Sequence, residues 1–202
     1  MRARRGARLA PVLALLTLMA AGRGAAGESP TPSLDDGMLD PAWFGPAVTF
    51  KRTDVIDYVW VKPGFSLKGK KLRVEGWPDP VFIGKERKAR DAAMAFQLVE
   101  RMPRNIRTVL HHELLGVAEV VSEGGDLVLS GRLVDYVAKG TMRASGPQAT
   151  WDMKINDAGS GELLAAVHHR RLMAISTVEE RIVMWLEEFG RALHDDLKIA
   201  GP

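Results

Sequence analysis

The chain has 202 residues, and its 28 lysines and arginines against 25 aspartates and glutamates give a formal net charge of +3. It contains no cysteine, which excludes a disulfide framework and a thiol nucleophile. A folded part of about 150 residues can bury roughly 70% of its extended surface, so the length suffices for one domain without disulfides.

The first 26 residues follow the plan of a secretory signal peptide. Several arginines open the chain, an apolar run covers residues 9–21, and Gly24-Ala25-Ala26 fits the small-x-small cleavage rule. The apolar run of about 13 residues is shorter than the ~20 residues that span a bilayer. We therefore predict cleavage near Ala26, release to the periplasm or beyond, and no transmembrane segment in the mature chain. A retained membrane anchor is the alternative.

The excess positive charge of the chain belongs to this export signal. Residues 1–26 contain five arginines and no acidic residue, so the mature chain has 23 basic and 25 acidic residues. Binding to nucleic acid requires a basic face on the folded domain, and a net charge of −2 does not indicate one. We predict no nucleic-acid partner.

Residues 27–51 are predicted to be a tether that precedes a single domain at residues 52–202. The stretch contains Pro30, Pro32, Pro41 and Pro46, with serine, aspartate and glycine among them. Proline removes a backbone donor and interrupts helices. Trp43-Phe44 is the aromatic pair within the stretch that is able to dock on the domain.

The first half of the domain is predicted to contain two strands and a long helix. Residues 54–64, DVIDYVWVKPG, are rich in β-branched and aromatic residues, and residues 70–78, KKLRVEGWP, form a weaker strand pattern. Helix formers dominate residues 85–101. The helix is expected to break or kink at Pro103 and to continue towards a C-terminal cap at Gly116.

The second half is predicted to contain four strands and a helix. Short and long strand patterns occupy residues 117–121 and 126–138, a hairpin with the turn DAGSG covers residues 149–173, and a helix follows at about residues 178–197. The order β-β-α-β-β-β-β-α predicts an α+β domain. Its sheet is expected to be mainly antiparallel, with the two main helices packed on one face.

Alternation along the strands predicts which side chains share a face. Leu129 and Ile155 are assigned to the core face, under a helix stripe formed by Ile182, Leu186 and Phe189. The opposite face of the hairpin carries Asp152 and Lys154, which are interpreted as a surface ion pair.

The runs DLVLSGRLVDYVAKG and WDMKINDAGSGELLAAVHHRR resemble a family of uncharacterised bacterial envelope proteins, usually lipoproteins, with a domain of unknown function. The family pattern, "DLVLxGxVxDY" and then "DAxTGELLA", is supplied by residues 126–136 and 157–165, with Ser160 in place of the usual threonine. The resemblance implies a fold similar to the TolB amino-terminal and curli-secretion type of periplasmic domain. Arg23 stands where a lipoprotein would have its lipidated cysteine, so we predict no lipid anchor.

Two histidine doublets, His111-His112 and His168-His169, are the first candidates for chemistry. Neighbours on a helix lie 100° apart, and neighbours on a strand point to opposite faces, so at most one histidine of each doublet could join a site. Two imidazoles need a third metal ligand, which no motif supplies. We therefore predict a polar helix end and a solvated strand edge, with no metal site, no catalytic residue and no cofactor.

The leading functional interpretation is a non-enzymatic, membrane-proximal periplasmic protein that binds or assists an envelope protein or a cell-wall component. One alternative is a metal-dependent hydrolase that uses His112 or His168 with nearby carboxylates. Another is a glycan-binding module, suggested by Trp77 in a predicted loop and by the basic loop at residues 68–71. The sequence leaves the oligomeric state open.

Overall fold

The computed structural model describes residues 37–53, 56–83, 87–138, 147–172 and 178–195, with backbone alone at residues 171–172 and 178–182. All of these residues belong to the unit Ser33–Pro202. The predicted signal peptide, its cleavage point near Ala26 and the position of Arg23 lie outside the described residues. Within those ranges, no helix is long and apolar enough to cross a membrane.

Three helices and seven strands make up the described part of the chain, which has an α+β architecture. In chain order they are α1 (Pro41–Phe44), β1 (Lys51–Arg52), β2 (Tyr58–Val61), β3 (Lys71–Val74), α2 (Ala89–Glu113), β4 (Glu119–Val121), β5 (Leu127–Val137), β6 (Gln148–Asp157), β7 (Leu163–Leu172) and α3 (Val178–His194). The predicted elements are all present, and α1 and β1 precede them.

The strands form one sheet in the order β1-β2-β7-β6-β5-β3-β4. The four neighbouring pairs β1–β2, β2–β7, β7–β6 and β6–β5 are antiparallel. The strand β3 is parallel to both of its neighbours, β5 and β4. The sheet is therefore mixed, and the prediction of a mainly antiparallel sheet is wrong. The reason is α2, which carries the chain back across the sheet between β3 and β4 and so makes these strands parallel.

The connection from β4 to β5 passes closely against β3. Gly125 has φ +98°, and a Cβ atom there would lie 3.0 Å from the carbonyl oxygen of Lys71. Only glycine combines this left-handed backbone with so close an approach. This passage lets β3 lie between two strands that are neighbours in the sequence.

Helix α2 runs through Pro103 without ending. Pro103 has no backbone N–H and cannot donate the helical hydrogen bond to the carbonyl oxygen of Val99. Both residues are nevertheless buried within the helix. Pro103 therefore does not break the helix as one form of the prediction had it, and α2 is continuous over 25 residues. Gly116, which follows the helix, has φ +79°, as expected for a glycine near a helix C-terminus.

The helices α2 and α3 pack on one another, and the core lies between them and one face of the sheet. Leu129 and Ile155 are buried in this core and line a small internal space together with Phe189 and Leu193 of α3. The predicted core face is therefore confirmed. The side chain of Ile182 lies outside the described residues.

A β-bulge in β5 changes the face of its last residues. Leu133 pairs with Trp151 but Asp135 pairs with Thr150, so Val134 is the extra residue. The shift turns Tyr136 into the core and Asp135 onto the opposite face, because a one-residue slip exchanges the two faces of a strand.

Candidate functional site

Three charged or ionisable side chains form a row across β5, β6 and β7 on the face of the sheet opposite the helices, here called the second face. Asp152 pairs with Arg132 on one side and with His168 on the other. Directly opposite residues of antiparallel strands share a face, so the register itself brings the three side chains together. We call Arg132, Asp152 and His168 the charged row.

Asp152 is the centre of the charged row. Its Oδ1 lies 2.5 Å from Nδ1 of His168, and its Oδ2 accepts a hydrogen bond of 2.8 Å from Nε of Arg132. Asp152 and His168 are 0% exposed and Arg132 is 5% exposed. Charged groups buried this deeply need partners of good geometry, and here both carboxylate oxygens of Asp152 have one.

Residues 37–50, here called the N-terminal segment, bind to the second face at this point. Nη1 of Arg132 donates to Oδ2 of Asp40 at 3.3 Å, and Nζ of Lys154 donates to the carbonyl oxygen of Trp43 at 3.0 Å. The Trp43 ring centroid lies 4.5 Å from Cζ of Arg132 and 4.0 Å from Nζ of Lys154. Both cations therefore contact one indole ring, and Arg132 also contacts one carboxylate.

The charged form of Lys154 is disfavoured by its surroundings. Burial lowers its pKa below the ordinary value of 10.5, and the neighbouring Arg132 charge lowers the pKa further, against the opposing effect of Asp152. The two neighbouring cations favour a negative group nearby, and the Asp40 carboxylate lies beside Arg132.

Three aromatic side chains of the N-terminal segment pack on one another. Phe44 is buried, and its ring centroid lies 4.7 Å from that of Trp43 and 5.0 Å from that of Phe50, both edge to face. Asp40 caps α1 by accepting a hydrogen bond from the backbone N–H of Ala42. The predicted tether thus includes residues that contact the sheet, Asp40 and Trp43 among them.

His169 lies on the helix-covered face, so the two histidines of the doublet are separated by the sheet, as predicted. Its ring stacks on Trp185 of α3 at 4.9 Å, and its Nδ1 lies 3.1 Å from Oδ2 of Asp57. Burial raises the pKa of Asp57, but hydrogen bonding with His169 and with the backbone N–H of Arg170 outweighs it. The pKa of Asp57 is therefore lowered from 3.8.

Two predictions about the second doublet and its hairpin are wrong. His168 and His169 are buried, because β7 is an interior strand of the sheet and not a solvated edge. Asp152 is not in a surface ion pair with Lys154, since its carboxylate is fully buried and held by Arg132 and His168.

The first doublet forms a polar helix end, as predicted. His111 and His112 are exposed in the last turn of α2, with ring centroids 5.7 Å apart. Since α2 covers one face of the sheet and His168 points to the other, His112 and His168 do not meet. Within the described ranges, no group of three or more histidine and carboxylate side chains is arranged to hold a metal ion.

Trp77 packs against the sheet. A Cβ atom at Gly131 would lie 2.5 Å from Cε2 of Trp77, so the indole ring lies directly against the backbone of β5. The lysines at positions 68, 70 and 71 are exposed. Lys71 lies 3.8 Å from Glu119 in an ion pair at the sheet edge, and such exposed pairs contribute little to stability.

Arg132 is the member of the charged row that the sequence analysis did not single out. The available signal was an arginine in the middle of a mostly apolar strand, in which Leu129 and Leu133 lie on either side of Arg132. An arginine buried in an interior strand requires an acidic partner on a neighbouring strand.

No protein-family model and no curated protein matches the chain. Among solved structures it is similar to the PelC dodecamer from Paraburkholderia phytofirmans, with 14% identity over 67% of this chain and 96% of that chain and a TM-score of 0.47. The corresponding values are 13%, 70%, 87% and 0.36 for a DUF330 protein of Xanthomonas campestris. They are 13%, 63%, 94% and 0.29 for a minor lipoprotein from Acinetobacter baumannii. With every TM-score below 0.5, these likenesses assign this chain to no family and to no function.

Proposed function

We propose that the chain is an exported, non-enzymatic protein of the cell envelope that acts by binding an envelope protein or a cell-wall component. The observation that carries this proposal is the charged row, which combines an imidazole, a carboxylate and a guanidinium on the second face. Its groups are buried and hold one another and the N-terminal segment in place. A general acid or base must reach its substrate, so a row with this burial favours a structural role.

Export follows from residues 1–26, which have the composition of a cleavable signal peptide. The proposal places the mature chain in the periplasm or outside the cell, close to the membrane and without a lipid anchor, because Arg23 replaces the lipidated cysteine. The resemblance to envelope proteins of unknown function predicts this location, and it also predicts a fold of the TolB amino-terminal and curli-secretion type. The proposal includes no nucleic-acid partner.

Photo-crosslinking in living cells tests the binding function. A photoreactive amino acid replaces Ala42, which is exposed on α1, or Thr108, which is exposed on α2 and serves as the control. The proposal expects a specific adduct with one envelope component from position 42 and none from position 108. Absence of any specific adduct from both positions would contradict it.

The non-enzymatic part of the proposal has its own test. The adduct should persist in His168→Gln protein at a temperature where circular dichroism shows that the variant is folded, because the imidazole has a structural role. A purified wild-type protein that turns over an envelope substrate, with the turnover abolished in folded His168→Gln protein, would overturn the proposal in favour of an enzyme.

A further inference from the structure

The N-terminal segment is bound to the second face in the manner of a short peptide ligand. Helix α1 is a single turn whose Pro41 and Ala42 are exposed, and it has no extensive packing against any strand or long helix. The segment contacts the second face through the Asp40 carboxylate, the Trp43 ring and carbonyl oxygen, and the Met38 sulfur, which accepts a hydrogen bond from the Thr150 hydroxyl.

The core between the sheet and the helices does not include the N-terminal segment. Phe44 is buried but lies outside the cluster of side chains that forms the core between the sheet and the helices. Val134 and Ala166, which are buried too, also lie outside that cluster. Release of the segment would therefore uncover the second face and leave the core between sheet and helices in place.

The uncovered surface would have the chemistry of a site for an acidic and aromatic ligand. Arg132 and Lys154 contribute two positive charges, against one negative charge on Asp152. Asp40 supplies the balancing carboxylate, and the Trp43 ring contacts both cations. A carboxylate followed three residues later by an aromatic side chain matches both features at once.

We propose that this part of the second face is a peptide-binding site, occupied in cis by Asp40 to Trp43. Its ligand in trans is a segment of an envelope protein with a carboxylate three residues before an aromatic side chain. The proposal rests on the binding function proposed above and gives the chemical class of the partner. The segment on the same chain competes at an effective concentration of about millimolar, so an external peptide binds well only when the segment is released.

Fluorescence anisotropy with a labelled peptide of residues 37–45, GMLDPAWFG, tests this site. The full mature chain is compared with its Asp40→Asn/Trp43→Ala variant, in which the segment has lost its two recognition groups. We expect the variant to bind the peptide at least about tenfold more tightly than the wild type, because competition in cis is removed. Ala42→Ser, at an exposed position of the same turn, should bind as the wild type does.

The specificity of the site is tested on the chain with the released segment. Adding Lys154→Gln should weaken peptide binding by about fivefold or more, because one of the two cations that contact the indole is lost. Adding Lys88→Gln, at an exposed lysine before α2, should leave binding unchanged. A peptide in which asparagine and alanine replace the aspartate and tryptophan should not bind.

Two results would overturn the inference. One is a folded Asp40→Asn/Trp43→Ala variant that binds the peptide no better than the wild type, or equally well after Lys154→Gln. The other is a concentration-dependent dimer of the wild type that Trp43→Ala abolishes, which would assign the site to the segment of a second copy. If the peptide fails while position 42 still gives a specific adduct in cells, the binding function stands and only this site is wrong.

Discussion

Asp152 connects three parts of the structure through one carboxylate. It holds Arg132 on β5 and His168 on β7, and Arg132 in turn reaches Asp40 of the N-terminal segment. Asp135, further along β5, is held in the same way by Arg87, whose Nε and Nη2 lie 2.5 Å from the two carboxylate oxygens. These buried carboxylates therefore fix strands and segments relative to one another.

Replacing Asp152 by asparagine should strongly destabilise the fold. The change removes the buried anion of Arg132 and leaves only the half-exposed Asp40 carboxylate at 3.3 Å. Breaking a buried pair in this way costs about 3–5 kcal/mol in the free energy of unfolding. Urea unfolding of the variant gives the value. Glu123→Gln, an exposed carboxylate outside the row, should change stability by less than about 0.5 kcal/mol. A loss for Asp152→Asn as small as that of the control would contradict the burial of the row.

Asp57 should make stability depend on pH in the acid range. Its folded pKa is lowered from 3.8, so its contribution is present above the unfolded pKa and is lost as the pH falls through the folded pKa. Chemical unfolding from pH 6 down to about pH 2 should show a smaller loss of stability in Asp57→Asn than in the wild type. Parallel pH profiles for the two proteins would show that Asp57 is not perturbed.

The burial of the charged row was beyond the sequence analysis because it depends on the position of β7. Histidines next to arginines, as in His168-His169-Arg170, have the composition of an edge strand. Pairing of β2 with the outer side of β7 makes β7 an interior strand. That pairing is long-range, and no residue within the hairpin itself indicates it.

At the level of elements, the periodic patterns predicted strands and helices well, and the hairpin turn predicted the pairing of β6 with β7. The register was not predictable from the turn alone. Beside the turn, Asn156 pairs with Leu163, and an uninterrupted register would place Asp152 opposite Val167. A bulge shifts the pairing by one residue and places Asp152 opposite His168.

A leucine on the core face of β5 and an exposed leucine after α2 form a matched pair of substitutions. Leu129 is 1% exposed on this face, whereas Leu115 is 65% exposed after α2. Leu129→Ala should cost about 2–5 kcal/mol through lost transfer energy and a cavity, while Leu115→Ala should cost less than about 0.5 kcal/mol. Equal effects of the two substitutions on the urea midpoint would mean that the face assignment is wrong.

At the level of the whole molecule, the export signal is a property of the sequence alone. Residues 1–30 fused to a reporter that is active only in the periplasm should give activity, because their charged start and short apolar run are sufficient for export. N-terminal sequencing of the exported protein should show cleavage near Ala26. Recovery of the exported protein with an intact N-terminus would instead favour a retained anchor.

The architecture gives each histidine of the second doublet a separate environment. His168 belongs to the charged row on the face that carries the N-terminal segment, and His169 is stacked on Trp185 beneath the helices. The ring centroid of Tyr58 on β2 lies 6.1 Å from that of His168 on the same face. Loss of the Tyr58 ring should therefore affect His168 and leave His169 protected. Such a difference between adjacent residues has no explanation unless the sheet separates them.

Modification of histidine side chains by diethyl pyrocarbonate, quantified residue by residue by mass spectrometry, tests this account most directly. In the wild type, the exposed His111 and His112 should react rapidly, and His168 and His169 should both be protected. Tyr58→Ala, which removes the neighbouring ring on the second face, should raise the reactivity of His168 and leave that of His169 unchanged. If His168 reacted as fast as His111 in the wild type, or if Tyr58→Ala exposed both buried histidines equally, the burial of the charged row and its separation from His169 by the sheet would be contradicted.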